Sequence, residues 1–102
     1  NADMVGHTGN LKATVKAIEI IDKEISRIIK KFPGIIFITA DHGNCENMEG
    51  KYQTSHTANK VPLIVVNVKG KLKNGALADL APTILKVMGI KKPKEMTGKC
   101  LL

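Results

Sequence analysis

Thr39-Ala-Asp-His-Gly-Asn-Cys-Glu46 decides how the fold is read, and it follows a short apolar run, Ile35-Ile-Phe-Ile38. The run predicts a buried strand, which places Asp41 and His42 where a parallel strand meets its C-terminal loop. Open α/β sheets bind their ligands at that edge. A carboxylate beside an imidazole suits a divalent cation, and Gly43 removes a side chain that would crowd it. The segment therefore predicts half of a metal site, although a polar turn capping a strand would carry the same residues.

A second acid and imidazole pair lies near the start of the chain, in Asp3-Met-Val-Gly-His7. A spacing of four positions brings both side chains to the same side of a helical turn, so they can share one cation. The alternative is a surface loop that enters the next helix, with Thr8 or Asn10 as its cap.

The third and last histidine, His56, lies in a polar loop from about residue 47 to residue 60. A loop of this length is uncommon in a compact domain unless it carries function. Taken alone, His56 is more typical of a solvated loop residue than of a ligand. All three histidines nevertheless lie in Gly-, Thr- or Asp-rich loops beside predicted element ends, and none lies on an apolar helix face.

Regular elements separate these loops. Steps of three and four between apolar residues predict an amphipathic helix from about residue 10 to residue 31. Its apolar stripe consists of Leu11, Val15, Ile18, Ile21, Ile25, Ile28 and Phe32. A second buried strand is predicted over residues 61–68, and a short helix over residues 77–88 with Asp79 as its cap and Gly89 at its end. The apolar tail, Cys100-Leu-Leu102, is expected to form an edge strand.

The composition bounds the size and the partners. A chain of 102 residues is long enough for one domain with a modest core. Sixteen Lys and Arg against nine Asp and Glu give a net charge of +7, but Arg27 is the one arginine and aromatic residues make up 3%. This pattern disfavours nucleic-acid binding and favours an anionic small substrate.

The cysteines and the apolar runs indicate a cytoplasmic protein without a membrane span. No apolar run approaches the length needed to cross a bilayer. Cys45 and Cys100 are far apart in sequence, which fits free thiols in a reducing compartment. Cys45 is close enough to the candidate site to be considered as a ligand, but it ranks below the Asp and His residues because a hard metal prefers oxygen and nitrogen donors.

Five stretches together resemble the C-terminal end of the cofactor-independent (2,3-bisphosphoglycerate-independent) phosphoglycerate mutases of the alkaline phosphatase superfamily. In chain order they are Asn1-Ala-Asp-Met-Val-Gly-His-Thr-Gly9, Thr39-Ala-Asp-His-Gly-Asn44, Ser55-His-Thr-Ala-Asn-Lys-Val-Pro62, Leu77-Ala-Asp-Leu-Ala-Pro-Thr-Ile-Leu85 and Met96-Thr-Gly-Lys99. The first stretch indicates the mutase, whereas Asp-His-Gly alone indicates only the superfamily. Cys45 stands where the family is expected to have a small residue such as alanine.

The resemblance implies an α/β fold in which residues 1–102 are a C-terminal fragment of a metal-binding, phosphatase-like domain. That domain would have three layers, with a mostly parallel sheet flanked by helices. Asp3, His7 and His56 align with the ligands of one manganese ion, and Asp41 and His42 align with part of the shell of a second. Zinc, cobalt and magnesium are the alternatives to manganese.

The implied activity is the interconversion of 3-phosphoglycerate and 2-phosphoglycerate, a glycolytic step, through a phosphoserine. The nucleophilic serine and an aspartate ligand belong to an N-terminal portion of the enzyme that these residues do not include, so the fragment alone is expected to be inactive. The alternatives are a phosphatase or phosphopentomutase of the same superfamily, and a metal-binding or interaction module without catalysis.

Overall fold

A computed structural model describes residues 1–50 and 54–102. These residues form two compact units, Asn1–Asn67 and Val68–Leu102. All five predicted ligands belong to the first unit. None of the described helices is both long enough and apolar enough to span a bilayer.

Two helices open the first unit. Helix α1 spans Ala2–Gly6, and helix α2 spans Leu11–Lys31. The predicted cap of α2 is confirmed, because the side chain of Asn10 accepts a hydrogen bond from the Ala13 amide at 3.1 Å. Helix α1 packs against α2, so the first acid and imidazole pair is carried on a turn that the long helix supports.

The apolar stripe of α2 is largely uncovered. Leu11, Val15, Ile18, Ile28 and Phe32 keep 45–57% of their surface exposed. The covered side of the helix includes Thr14, which is 2% exposed, and the half-buried Ile21 and Ile25. An apolar face of this kind is typical of a surface that another polypeptide covers.

The sheet differs from the prediction. Strand β1 spans Ile36–Thr39 and strand β2 spans Leu63–Val66, and they pair antiparallel with Ile36 opposite Val66. This is the one sheet among residues 1–50 and 54–102, so the mostly parallel, three-layer arrangement is not found there. The described residues between the strands contain no helix, and a parallel pair needs a crossover connection, usually helical. Both strands are half-buried rather than fully buried.

The loop predicted over residues 47–60 is confirmed where the structure describes it, at residues 47–50 and 54–60. Residues 51–53 of that prediction lie outside the described residues. An isolated antiparallel bridge joins Gly43 to Thr57, with the Thr57 amide donating to the Gly43 carbonyl at 2.8 Å. The bridge ties the loop after β1 to the segment that carries His56.

The second unit contains a short 3-10 helix, Leu77–Asp79, followed by helix α3, Leu80–Val87. Gly89 ends this region with φ +71°, a left-handed value that glycine adopts without strain. Instead of forming the expected edge strand, Leu101 accepts a hydrogen bond from the Lys73 amide at 2.9 Å and donates one to the Thr83 hydroxyl at 3.0 Å. Leu101, 3% exposed, and Pro82 of α3 are buried apolar residues of this unit.

Asp79 occupies the N-cap position of α3, as predicted, but its side chain makes no capping hydrogen bond to that helix. Its carboxylate accepts hydrogen bonds from the Ala76 amide at 2.9 Å and the Lys99 amide at 2.8 Å. These bonds, helped by the charges of Lys99 and Lys92, hold the pKa of Asp79 below its ordinary value. Its own carbonyl accepts from the hydroxyl of Thr83, which is fully buried. Asp79 thus joins the 3-10 helix, α3 and the tail.

Candidate metal centre

Helix α1 presents Asp3 and His7 on one side. The four-residue spacing places Asp3 Oδ1 3.3 Å from His7 Nε2. The helical-turn interpretation of this stretch is therefore confirmed, and the alternative of an irregular surface loop is wrong.

His56 approaches this pair from 49 residues further along the chain than His7. Its Nε2 lies 3.1 Å from His7 Nε2 and 3.4 Å from Asp3 Oδ1. Asp3, His7 and His56 are the one group of three or more potential metal ligands that converge among residues 1–50 and 54–102. The three side chains keep 40–50% of their surface exposed.

The donor spacing fits a divalent ion. Bonds of about 2.0–2.1 Å place neighbouring ligand atoms about 3.3–3.4 Å apart in a tetrahedral site and about 3 Å apart in an octahedral one. The three observed separations, 3.1, 3.3 and 3.4 Å, span both values. One carboxylate oxygen and two imidazole nitrogens suit manganese, zinc or cobalt.

His7 is oriented for ligation by its second nitrogen. Nδ1 lies 2.6 Å from the Thr54 carbonyl oxygen. Because a carbonyl oxygen only accepts, Nδ1 carries the proton, and a neutral His7 therefore keeps the lone pair of Nε2 directed at the cluster. A backbone carbonyl that fixes the tautomer in this way is a common outer-shell partner of metal-ligating histidines.

Asp3 is held by Asn44, which sequence reasoning did not single out. Asn44 is 5% exposed, and its Nδ2 donates to Asp3 Oδ1 at 2.8 Å. Partial burial raises the pKa of Asp3, but the hydrogen bond from Asn44 and the neighbouring histidines lower it overall, which keeps the carboxylate ionised. Among the described residues, Asn44 Oδ1 has no hydrogen-bond partner. The position of Asn44 two residues after His42 was the available signal.

Asp41 and His42 follow the C-terminal end of β1, as predicted, but neither joins the three-residue cluster. Asp41 Oδ2 lies 3.6 Å from His42 Nε2, and the Asp41 side chain is 89% exposed. The His42 ring stacks on the His56 ring with centroids 3.7 Å apart. The pair therefore lies beside the cluster as a second, incomplete set of donors.

Cys45 is not part of the three-residue cluster. Its thiol donates to the Ala2 carbonyl at 3.2 Å. Burial, and then the charges of Asp3 and Glu46, raise the pKa of Cys45, which keeps the thiol protonated and a poor ligand.

Glu46 is the other residue whose role the sequence did not reveal. Its Oε1 accepts from the Thr57 hydroxyl and, at 3.0 Å, from Asn59 Nδ2, while Oε2 accepts from the Asn44 amide at 2.6 Å. These donors, with Thr57 contributing most, lower the pKa of Glu46 to about 2. A Cβ at Gly43 would lie 2.2 Å from both Glu46 Oε1 and Thr57 Oγ1, so a larger residue at this position would displace these two side chains.

Comparison with known proteins places the chain in a family. The profile of the Metalloenzyme superfamily matches residues 1–92. The chain belongs to the metalloenzyme superfamily. Membership supports divalent-metal binding, and the profile covers all five predicted ligands.

Within the superfamily, the chain is similar to 2,3-bisphosphoglycerate-independent phosphoglycerate mutases. It is 50% identical to the enzyme of Roseobacter denitrificans, 50% identical to that of Rhodopseudomonas palustris and 52% identical to that of Clostridium kluyveri, each over the whole chain. The resemblance inferred from the five sequence stretches is thereby confirmed. The chain spans 22% of the length of each of these relatives.

Proposed function

We infer that the chain forms part of a metal-dependent phosphoglycerate mutase, in which Asp3, His7 and His56 hold one divalent ion. The observation that carries this inference is the convergence of their three donor atoms within 3.1–3.4 Å from two distant segments. The names of the relatives support phosphoglycerate mutase activity. The reaction that we propose is the interconversion of 3-phosphoglycerate and 2-phosphoglycerate through a phosphoserine.

The arrangement favours a catalytic centre over a purely structural one. Structural zinc sites enclose the ion in four protein ligands, whereas catalytic sites leave a position open. Three half-exposed donors leave room for an oxygen of a phosphorylated substrate. A divalent ion bound there would polarise that oxygen and neutralise its charge. Manganese is the expected ion, with zinc, cobalt and magnesium as alternatives.

Asp41 and His42 would supply part of the shell of a second ion. The exposed Asp41 carboxylate and the adjacent imidazole offer two donors, and the rest of that shell would come from the N-terminal portion of the enzyme, which would also supply the nucleophilic serine. The uncovered apolar stripe of α2 and the greater length of the relatives support the existence of this partner portion. Residues 1–102 alone are accordingly expected to show no mutase turnover.

The charge and the thiols agree with this assignment. A net charge of +7 favours an anionic substrate, and a phosphorylated glycerate is one. Both cysteines are free, as a reducing compartment such as the cytoplasm would keep them.

A metal titration tests the site. Mn²⁺ or Zn²⁺ is titrated by calorimetry into wild type, into His56→Ala and into Lys16→Ala, a surface control on α2. We expect His56→Ala to weaken binding by at least about tenfold and the control to bind like wild type. Unchanged binding by His56→Ala would remove His56 from the site.

A second experiment separates the mutase from a metal-binding module without catalysis, which the complete cluster within one small unit also favours. Conversion of 3-phosphoglycerate is assayed without added bisphosphoglycerate, in the polypeptide as its gene encodes it, including any flanking sequence. The mutase should lose its activity on chelation and regain it with Mn²⁺. Metal binding without turnover in that polypeptide would favour the module.

A further inference from the structure

Glu46 lies between the two loops that complete the candidate metal centre. On one side, Oε2 accepts from the Asn44 amide at 2.6 Å, and the Asn44 side chain in turn holds Asp3. On the other side, Oε1 accepts from the Thr57 hydroxyl and from Asn59 Nδ2. One carboxylate thus links the loop after β1 to the segment that follows His56.

Apart from the hydrogen bond of the Thr54 carbonyl to His7 Nδ1, the His56 segment has few other contacts that fix its position. Residues 54–60 contain no helix or strand beyond the single bridge of Thr57 to Gly43. His56 itself is half-exposed, and its ring contacts His7 and His42 rather than an apolar core. Its position therefore depends on the residues next to it, and Thr57 is the one that the Glu46 carboxylate holds.

The geometry points to Glu46 as a positioning residue that fixes His56, through Thr57, at the distance from Asp3 and His7 at which one metal ion can be shared. This inference rests on the proposed function in one respect, that the cluster binds a divalent ion. Glu46 does not touch the cluster, so its effect on the ion is exerted through the backbone of Thr57 and through Asn44.

Substitutions at Glu46 should have graded effects. Glutamine has one acceptor oxygen, so Glu46→Gln can satisfy the Asn44 amide or the Thr57 and Asn59 donors, but not both. Glu46→Ala satisfies neither. We expect Mn²⁺ affinity to fall by about tenfold in Glu46→Gln and by up to about a hundredfold in Glu46→Ala, the range for residues that orient metal ligands. Glu19→Gln, which removes an equal charge from the exposed face of α2, is the matched control.

A pair of variants at Thr57 tests the path to His56. Thr57→Ser keeps the hydroxyl that donates to Glu46, whereas Thr57→Val has the same shape without the donor. Affinity should be retained in Thr57→Ser and reduced about tenfold in Thr57→Val.

Cobalt gives a readout that a loss of stability alone would not change. The d–d absorption of bound Co²⁺ reports the ligand set, so saturated Glu46→Ala and Thr57→Val should differ from wild type in the direction of His56→Ala. Unchanged affinity and an unchanged Co²⁺ spectrum in Glu46→Ala, with binding still weakened in His56→Ala, would overturn the positioning role alone. Unchanged binding in His56→Ala would instead overturn the metal site.

Discussion

Replacing Asn44 with alanine should separate the stability of the first unit from its affinity for metal. Asn44 is 5% exposed, and its side-chain nitrogen Nδ2 donates to Asp3 Oδ1 at 2.8 Å. The side-chain oxygen, Oδ1, is buried without a hydrogen-bond partner in the described part of the chain. The substitution therefore removes one favourable and one unfavourable contribution to the free energy of unfolding.

The two contributions to folding nearly cancel. A hydrogen bond to a charged group contributes about 1.5–3 kcal/mol, and a buried unpaired polar group costs about 1–3 kcal/mol. We expect the free energy of unfolding of Asn44→Ala to lie within about 2 kcal/mol of wild type. The affinity for metal has no such compensation, because Asp3 loses the hydrogen-bond donor that orients its carboxylate. Affinity should fall about tenfold to a hundredfold, or about 1.4–2.7 kcal/mol.

Denaturant unfolding without metal measures the first quantity, and calorimetric titration with Mn²⁺ measures the second. Asn74→Ala, an exposed asparagine of the second unit, is the control and should change neither. If unfolding became easier by more than about 3 kcal/mol while Mn²⁺ affinity stayed at the wild-type value, Asn44 would be a packing residue and the reasoning would be refuted.

Three further substitutions have defined outcomes. Gly43→Ala places a methyl group against the Glu46 and Thr57 oxygens, so calorimetry should show weaker Mn²⁺ binding, by about tenfold, and a wild-type affinity would contradict the contact. Leu101→Ala truncates a buried apolar side chain, 3% exposed, and should cost about 2–3 kcal/mol in denaturant unfolding of the second unit. The pKa of Asp79 is lowered on folding, so its stabilising effect is complete above its ordinary pKa of 3.8 and is lost as pH falls through the lower folded value. Asp79→Asn should therefore be less stable than wild type at about pH 7 and should lose less stability on acidification below 3.8, and parallel curves would argue against the two amide hydrogen bonds.

Local patterns in the sequence predicted local structure well. The spacing of Asp3 and His7, the three- and four-residue steps of α2 and the Asn10 cap each involve neighbours within one or two turns, and the structure has all three. Such features depend on backbone geometry that a few adjacent residues determine.

The approach of His56 to Asp3 and His7 was expected only through the family resemblance, and other features that depend on distant partners were not predicted. The direction of strand pairing is set by the connection between β1 and β2, and the apolar run of each strand is compatible with either direction. The roles of Asn44 and Glu46 arise from contacts with Asp3 and Thr57, 41 and 11 positions away. The stripe on α2 was correctly identified as apolar, but periodicity does not show whether a partner covers it.

The separation of His7 and His56 along the chain has a consequence for what a metal titration measures. An ion bound by both histidines would close a 49-residue loop, and bringing the two ends of such a loop together costs on the order of 3 kcal/mol in chain entropy. If contacts within the protein already hold the two ends of the loop together, ion binding does not have to supply this entropy, and the ion binds correspondingly more tightly. Mild denaturant that opens the loop should therefore weaken ion binding while α2 is still helical. The binding constant would then report whether the tertiary contacts of the first unit are intact.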